Sequence, residues 1–230
     1  MSFDVVIEYF PRLLEGVKTT LELVVVSGII GSLLALPLGL ARHSHRWWLK
    51  ALPYAYIFFF RGTPLLVQIF LVYYGLAQFE AVKESVLWPY LREPYWCAII
   101  AFSLNTAAYT AEILRGALAA IPSGEVEAAK TIGMRQPALY RRIMLPRAFG
   151  MIMPAYGNEV ILMLKGSALA STITLLDLTG MARTIIARTY TPIEIFLAAG
   201  ALYLMLSMVI ILAFRQLERR HNRHLRPING

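Results

Sequence analysis

Three stretches of this chain run for more than twenty residues with a single charge each: Thr19 to Ala41, interrupted by Glu22; Leu52 to Gln78, by Arg61; and Pro192 to Phe214, by Glu194. A helix needs about 20 apolar residues to cross the hydrocarbon core of a bilayer, and each run meets that length. Two further runs are Tyr95 to Leu114, which contains Glu112, and one that starts near Ala148, carries Glu159 and ends around Lys165 to Thr174. Hydrocarbon offers no partner to backbone N–H and C=O groups, so segments of this kind are expected to be helical. The expectation is an all-α membrane protein forming a single domain over 1–230, with spans at about 17–41, 52–78, 95–118, 148–172 and 192–214. A charged loop, 119–147, lies between the third and fourth. Composition agrees, since 58% hydrophobic against 16% charged residues lies outside the globular range.

The basic residues give an orientation. Segment 42–50 holds three, 115–147 holds six and the tail from Arg215 holds five, fourteen on one face of a five-span chain against six on the other. Cytoplasmic loops carry the excess of Lys and Arg, which predicts a periplasmic N-terminus and a cytoplasmic C-terminus. The net charge of +8 is therefore loop charge. It forms no continuous basic patch with interleaved aromatics, so no nucleic-acid partner is expected. The opening "MSFDVVIEYFPRLLEG" carries three acids and lacks the layout of a removable signal peptide. Cys97 has no second cysteine to pair with. His43 and His45 fall in the first cytoplasmic loop, and His221 and His224 in the basic tail, where neighbouring cations oppose a metal. Neither an H-E-x-x-H pattern nor a nucleophile elbow is legible, and no G-x-x-x-x-G-K-[ST] loop is present. The chain is expected to be non-catalytic, without a cofactor or metal of its own.

Within the loop, Ser123 is placed to cap a helix whose first turn carries Glu125 and Glu127, acids that complement the positive end of its dipole. Gly133 suits a left-handed helix end and Pro137 the start of a second helix. Ala128 and Ala129 form a strip of small residues that another surface can approach closely. Residue chemistry alone equally allows an amphipathic helix lying on lipid headgroups. Glu127-Ala128-Ala129, Gly133 three residues on, and Ile143, Leu145 and Pro146 after nine more complete the pattern E-A-A-x3-G-x9-I-x-L-P. This resembles the coupling loop of permease subunits in bacterial binding-protein-dependent ABC importers. "FRGTPLLVQ" (60–68), "NTAAYTAEILRGAL" (105–118) and "PAYGNEVILMLK" (154–165) are similar to the polar amino acid permeases, above all the M-type subunits for histidine, lysine, arginine, ornithine and related opines. The resemblance covers roughly residues 10–225. It implies the type I ABC importer permease fold and a heterodimer with a Q-type permease. It also implies two copies of a cytoplasmic ATPase that binds the ATP, and a periplasmic basic-amino-acid-binding protein. Glu127, Ala128, Ala129 and Gly133 would then couple to the ATPase. The implied function is import of basic amino acids or opines, the alternative being another polar amino acid such as glutamine or glutamate.

Polar residues inside spans are expensive and point to function. The second span is interrupted near its middle by Arg61-Gly62-Thr63-Pro64, and a broken helix at that depth marks binding sites in transporters. Arg61 either takes part in such a site or pairs with a carboxylate to lock the bundle. Asn105, Tyr109 and Glu112 lie three and four residues apart on one helical face. Glu112 has Arg115 within i,i+3 reach. Asn158 and Glu159 sit in the fourth span, where a carboxylate needs a cationic partner: Lys165, Arg61 or the side chain of a basic substrate. Arg61, Thr63, Gln68, Asn105, Tyr109, Glu112, Asn158 and Glu159 are the candidate substrate-binding residues. After Lys165 the chain has Gly166, Ser167 and Ala168 where the family commonly carries a threonine–serine pair, so no hydroxyl is available at Ala168.

Overall fold

The computed structural model describes residues 4–44 and 46–221, and those residues are helical almost throughout. In chain order the α-helices are α1 (Asp4–His43), α2 (Trp47–Gly62), α3 (Leu65–Phe70), α4 (Glu80–Lys83), α5 (Trp88–Leu91) and α6 (Pro94–Ala119). There follow α7 (Ser123–Thr131), α8 (Gln136–Leu139), α9 (Leu145–Gly166), α10 (Leu178–Thr189) and α11 (Pro192–His221). Three of them, α1, α6 and α11, are long and apolar enough to cross a membrane unaided. The number rises to five if each of two bent pairs forms one span.

α1 begins well before the apolar run. Its 40 residues extend about 60 Å, roughly twice the thickness of a bilayer core. Helix persists through the polar start because Val5, Tyr9, Leu13 and Val17 recur every fourth residue and pack on α10 and on Ile195 and Ala199 of α11. Against α6, α1 offers Ser27, Gly31, Ala35 and Gly39, again at four-residue spacing and all buried. Small residues let two helices approach closely in lipid, where packing replaces the hydrophobic effect as the driving force. A Cβ on Gly31 would lie 3.0 Å from Thr106, and one on Gly39 2.9 Å from the Ala111 carbonyl. α6 is the central helix, with Ala98, Ala101, Ala107, Ala108 and Ala111 fully buried.

The fourth apolar run belongs to a longer helical stretch than the sequence implies. Helix runs from Gln136 in the charged segment to Ile173 and meets α10 at 48°. Pro146 sits in the first turn of α9, and the wide π-type turn Tyr140–Met144 before it absorbs the missing backbone donor without ending the helix. The break comes later, at Thr174, which adopts a left-handed conformation (φ 66°). Asp177 then caps α10 by accepting from the N–H groups of Thr179 and Gly180.

Candidate functional site

The second apolar run bends by 106° between α2 and α3. Pro64 lacks an N–H and pushes Thr63 into an extended conformation, φ −112° and ψ 144°, so the helical ladder stops at Gly62. Freed carbonyls at this break need donors. Gln68 Nε2 donates to the carbonyls of Phe60 at 2.8 Å and Thr63 at 3.1 Å, and Thr63 Oγ1 adds a bond at 2.8 Å to the Phe59 carbonyl, which already accepts from the Thr63 N–H. Gln68 Oε1 in turn accepts from Asn105 Nδ2 of α6 at 2.9 Å. Gln68, 2% exposed, thus braces the bend from inside and is not part of the adjoining cavity wall.

That cavity, about 430 Å³, opens beside the break. It gathers Arg61 and Thr63 from the bend, Asn105 and Tyr109 from α6 and Glu159 from α9. Phe102, Leu162 and Met163 supply apolar wall. Arg61 stacks on the Tyr109 ring, its guanidinium carbon 5.3 Å from the ring centre. Glu159 is 7% exposed, and among the described residues its carboxylate has no hydrogen bond and no ion pair. Lys165, two turns on, is exposed instead. Two candidates stand apart from this group. Asn158 is exposed, about 100° around α9 from Glu159. Glu112 pairs with Arg115, Nη2 to Oε1 at 2.7 Å, and does not line the cavity.

In the charged segment, α7 starts one residue earlier than the capping pattern implies: Pro122 occupies the cap, and Ser123 is the first helical residue. Gly133 has φ 76°, and Met134 N–H reaches the Ala129 carbonyl at 3.1 Å, closing the helix by a Schellman-type turn. Glu127 and Ala128 are exposed, whereas Ala129 is 3% exposed and packed among Leu118, Leu139 and Met144. The strip of small residues is therefore split, one alanine facing outward and the other inward. Arg147 at the start of α9 grips Glu125 with two hydrogen bonds, 2.7 and 3.2 Å, and holds its carboxyl below the usual range. His43 ends α1 and meets Tyr140 edge to face, ring centres 6.4 Å apart. His45 and His224 lie outside the described residues, as does the side chain of His221. No group of three or more potential metal ligands occurs among the described residues.

Residues 11–223 match the model of the family described as binding-protein-dependent transport system inner membrane component. The chain belongs to this family. It is 50% identical over 220 residues to the octopine transport system permease protein of Rhizobium meliloti, covering 95% of this chain and 90% of that one. With the histidine/lysine/arginine/ornithine transport system permease protein of Escherichia coli (strain K12) it shares 43% over 213 residues, 92% and 90% of the two chains. A chain in the crystal structure of an amino acid ABC transporter with histidines superposes with a TM-score of 0.86 at 34% identity, covering 96% of this chain and 99% of that one. The protein is thus a multi-pass inner-membrane permease subunit with the type I ABC importer permease fold. ATP hydrolysis in such importers resides in a separate ATPase subunit, and a binding protein delivers the solute.

Two features of the permease escape a reading of its sequence. The Glu125–Arg147 pair joins residues 22 apart, with no local periodicity to announce it. The stacking of Arg61 on Tyr109 joins residues 48 apart in sequence; only their separate membership of a broken span and a polar stripe was visible.

Proposed function

We propose that this permease moves basic amino acids or related opines through the membrane, with Glu159 as the counter-charge for the substrate's cationic group. The observation that carries this reading is a buried carboxylate, free of any hydrogen bond or ion pair to the described residues, on the wall of a cavity beside a broken span. Placing a charge at such depth costs at least about 2.5–3.5 kcal/mol on insertion scales. A ligand cation relieves that cost only while bound, and so converts it into selectivity. The names of the relatives, which concern octopine and histidine, lysine, arginine and ornithine, support the same substrate class. Thr63 and Asn105 add polar atoms to the cavity wall. Asn158, exposed on this chain, is available to a partner permease, and a heterodimer with a Q-type subunit, two ATPase copies and a periplasmic basic-amino-acid-binding protein complete the assembly. Glu127, Ala128 and Gly133 engage the ATPase, with Ala129 tying that helix to the body of the permease. The fourteen-to-six distribution of basic residues supports a periplasmic N-terminus and a cytoplasmic C-terminus. A reporter active only outside the cytoplasm, fused within 79–95, should then be active.

Glu159→Gln keeps size and hydrogen-bonding capacity while removing the charge. Uptake of arginine and ornithine should fall by the equivalent of roughly 2–5 kcal/mol, the cost of leaving one partner of a close charge pair unmatched. Assembly of the transporter is followed in parallel. Wild-type uptake of cationic substrates by an assembled Glu159→Gln transporter would move selectivity to the partner permease or the binding protein.

A further inference from the structure

The cavity holds one cationic and one anionic side chain, and they do not pair with each other. Arg61 and Glu159 both line it, yet no ion pair joins them. Opposite charges lining one cavity attract, so the absence of a close pair between them needs a cause. Tyr109 supplies one. Its ring face takes the Arg61 guanidinium at 5.3 Å, within the range of cation–π attraction. The ring is carried by α6, whose neighbouring Ala107, Ala108 and Ala111 are fully buried, so its backbone is held by packing. Arg61, by contrast, is exposed and lies in the last turn of α2, next to Gly62, around which no other atom comes within 4 Å of an added Cβ.

Building on the reading of Glu159 as counter-charge, we infer that Tyr109 is a positioning residue for specificity: it parks Arg61 away from Glu159 and keeps the cavity dipolar. A collapsed Arg61–Glu159 pair would neutralise the site, and an incoming cation would first have to displace Arg61. With Arg61 parked, Glu159 is open to the distal cation of the substrate and Arg61 to its backbone carboxylate. The cavity then selects a molecule carrying both charges at opposite ends.

The test is a double-mutant cycle on the complete transporter in lipid nanodiscs, reading the arginine concentration that half-saturates transport. Tyr109→Leu should raise it by roughly 2- to 30-fold, the range of cation–π strengths from exposed to fully desolvated contacts. Tyr109→Phe, which keeps the ring face, should stay within about twofold of wild type, since the ring quadrupole is retained. Arg61→Gln should weaken arginine binding by itself, and adding Tyr109→Leu to it should change little more, because no guanidinium is left to collapse. If Tyr109→Leu does not assemble, Tyr109→Met takes its place in the cycle with the same expectations. Additive effects of the two substitutions would overturn the inference, as would a Tyr109→Phe defect equal to that of Tyr109→Leu. Glu159→Gln measured alongside separates the two levels. A loss there with an additive cycle removes only the role of Tyr109, whereas wild-type behaviour there removes both.

Discussion

Replacing Gln68 by methionine would keep the length and unbranched shape of the side chain and remove its hydrogen bonds. At the bend, the carbonyls of Phe60 and Thr63 lose the Nε2 donor, and Asn105 Nδ2 loses its 2.9 Å acceptor. Each buried group left unpaired costs about 1–3 kcal/mol. Asn105 Nδ2 and the Phe60 carbonyl keep a longer bond to each other at 3.4 Å, so only the Thr63 carbonyl is left without a donor. One group unpaired and two held by a weaker bond give an expected destabilisation of about 2–4 kcal/mol, a large share of the roughly 5–15 kcal/mol that holds a domain together. For a chain of this size it lowers the thermal midpoint by roughly 4–16 °C. The assay is thermal unfolding of the purified transporter in nanodiscs together with arginine uptake, which should fall because the bend aims Arg61. Asn105→Leu should cost much less in the Gln68→Met background than in wild type, since the two side chains share one bond. A Gln68→Met midpoint within about 2 °C of wild type would refute the reasoning, for 1 kcal/mol alone moves it by that much. Pro64 alone would then hold the bend.

Gly133→Val places a β-branched residue at φ 76°, a strain of about 1–3 kcal/mol. Uptake should drop while the subunit still reaches the membrane; normal uptake with full ATPase stimulation would exclude a docking role for this segment. The Glu125–Arg147 pair makes a pH-dependent contribution. The folded state lowers the Glu125 pKa through its hydrogen bonds to Arg147, so the contribution is complete above the ordinary glutamate value of about 4.3 and is lost as pH falls through the lowered folded value. The difference in thermal midpoint between wild type and Glu125→Gln should accordingly be flat from neutral pH down to that region and close below it. Added salt should shrink it, since both side chains are partly exposed. A gap that is constant down to pH 2 would show that the pair is not its source.

Apolar run length made the helical class of this permease legible, and Arg61-Gly62-Thr63-Pro64 marked the break, because proline and glycine act locally. The 106° angle was not legible, since proline and glycine mark a break without fixing its angle, and the brace at Gln68 was not, since it closes on Asn105, 37 residues away. The Glu112–Arg115 pair could be read directly from i,i+3 spacing. Asn158 and Glu159 show the opposite case. Neighbours on a helix point about 100° apart, so a polar pair in a span announces a site without saying which member faces it. Here Glu159 turns inward and Asn158 outward. Pro137 does open the second helix of the charged segment, as its fixed φ suggests, but that helix does not stay short: a wide turn at Tyr140–Met144 carries it past Pro146 into the fourth apolar run.

The placement of α1 has a consequence for how the protein is made. Gly16 lies so close to Leu178 that an added Cβ would sit 2.8 Å from its Cα, and Thr20 Oγ1 accepts from the Leu178 N–H at 3.1 Å. α1 therefore completes its contacts only after more than 150 further residues have been synthesised. At about 5–20 residues per second that interval is on the order of 10–30 s. During this time the notched flank of α1 lies bare in the bilayer, open to any other helix with small residues that drifts past. Orderly biogenesis thus rests on α6 covering the Gly31 and Gly39 notches before a stranger does, a kinetic race that faster elongation favours and ribosome stalling between residues 43 and 94 would tend to lose.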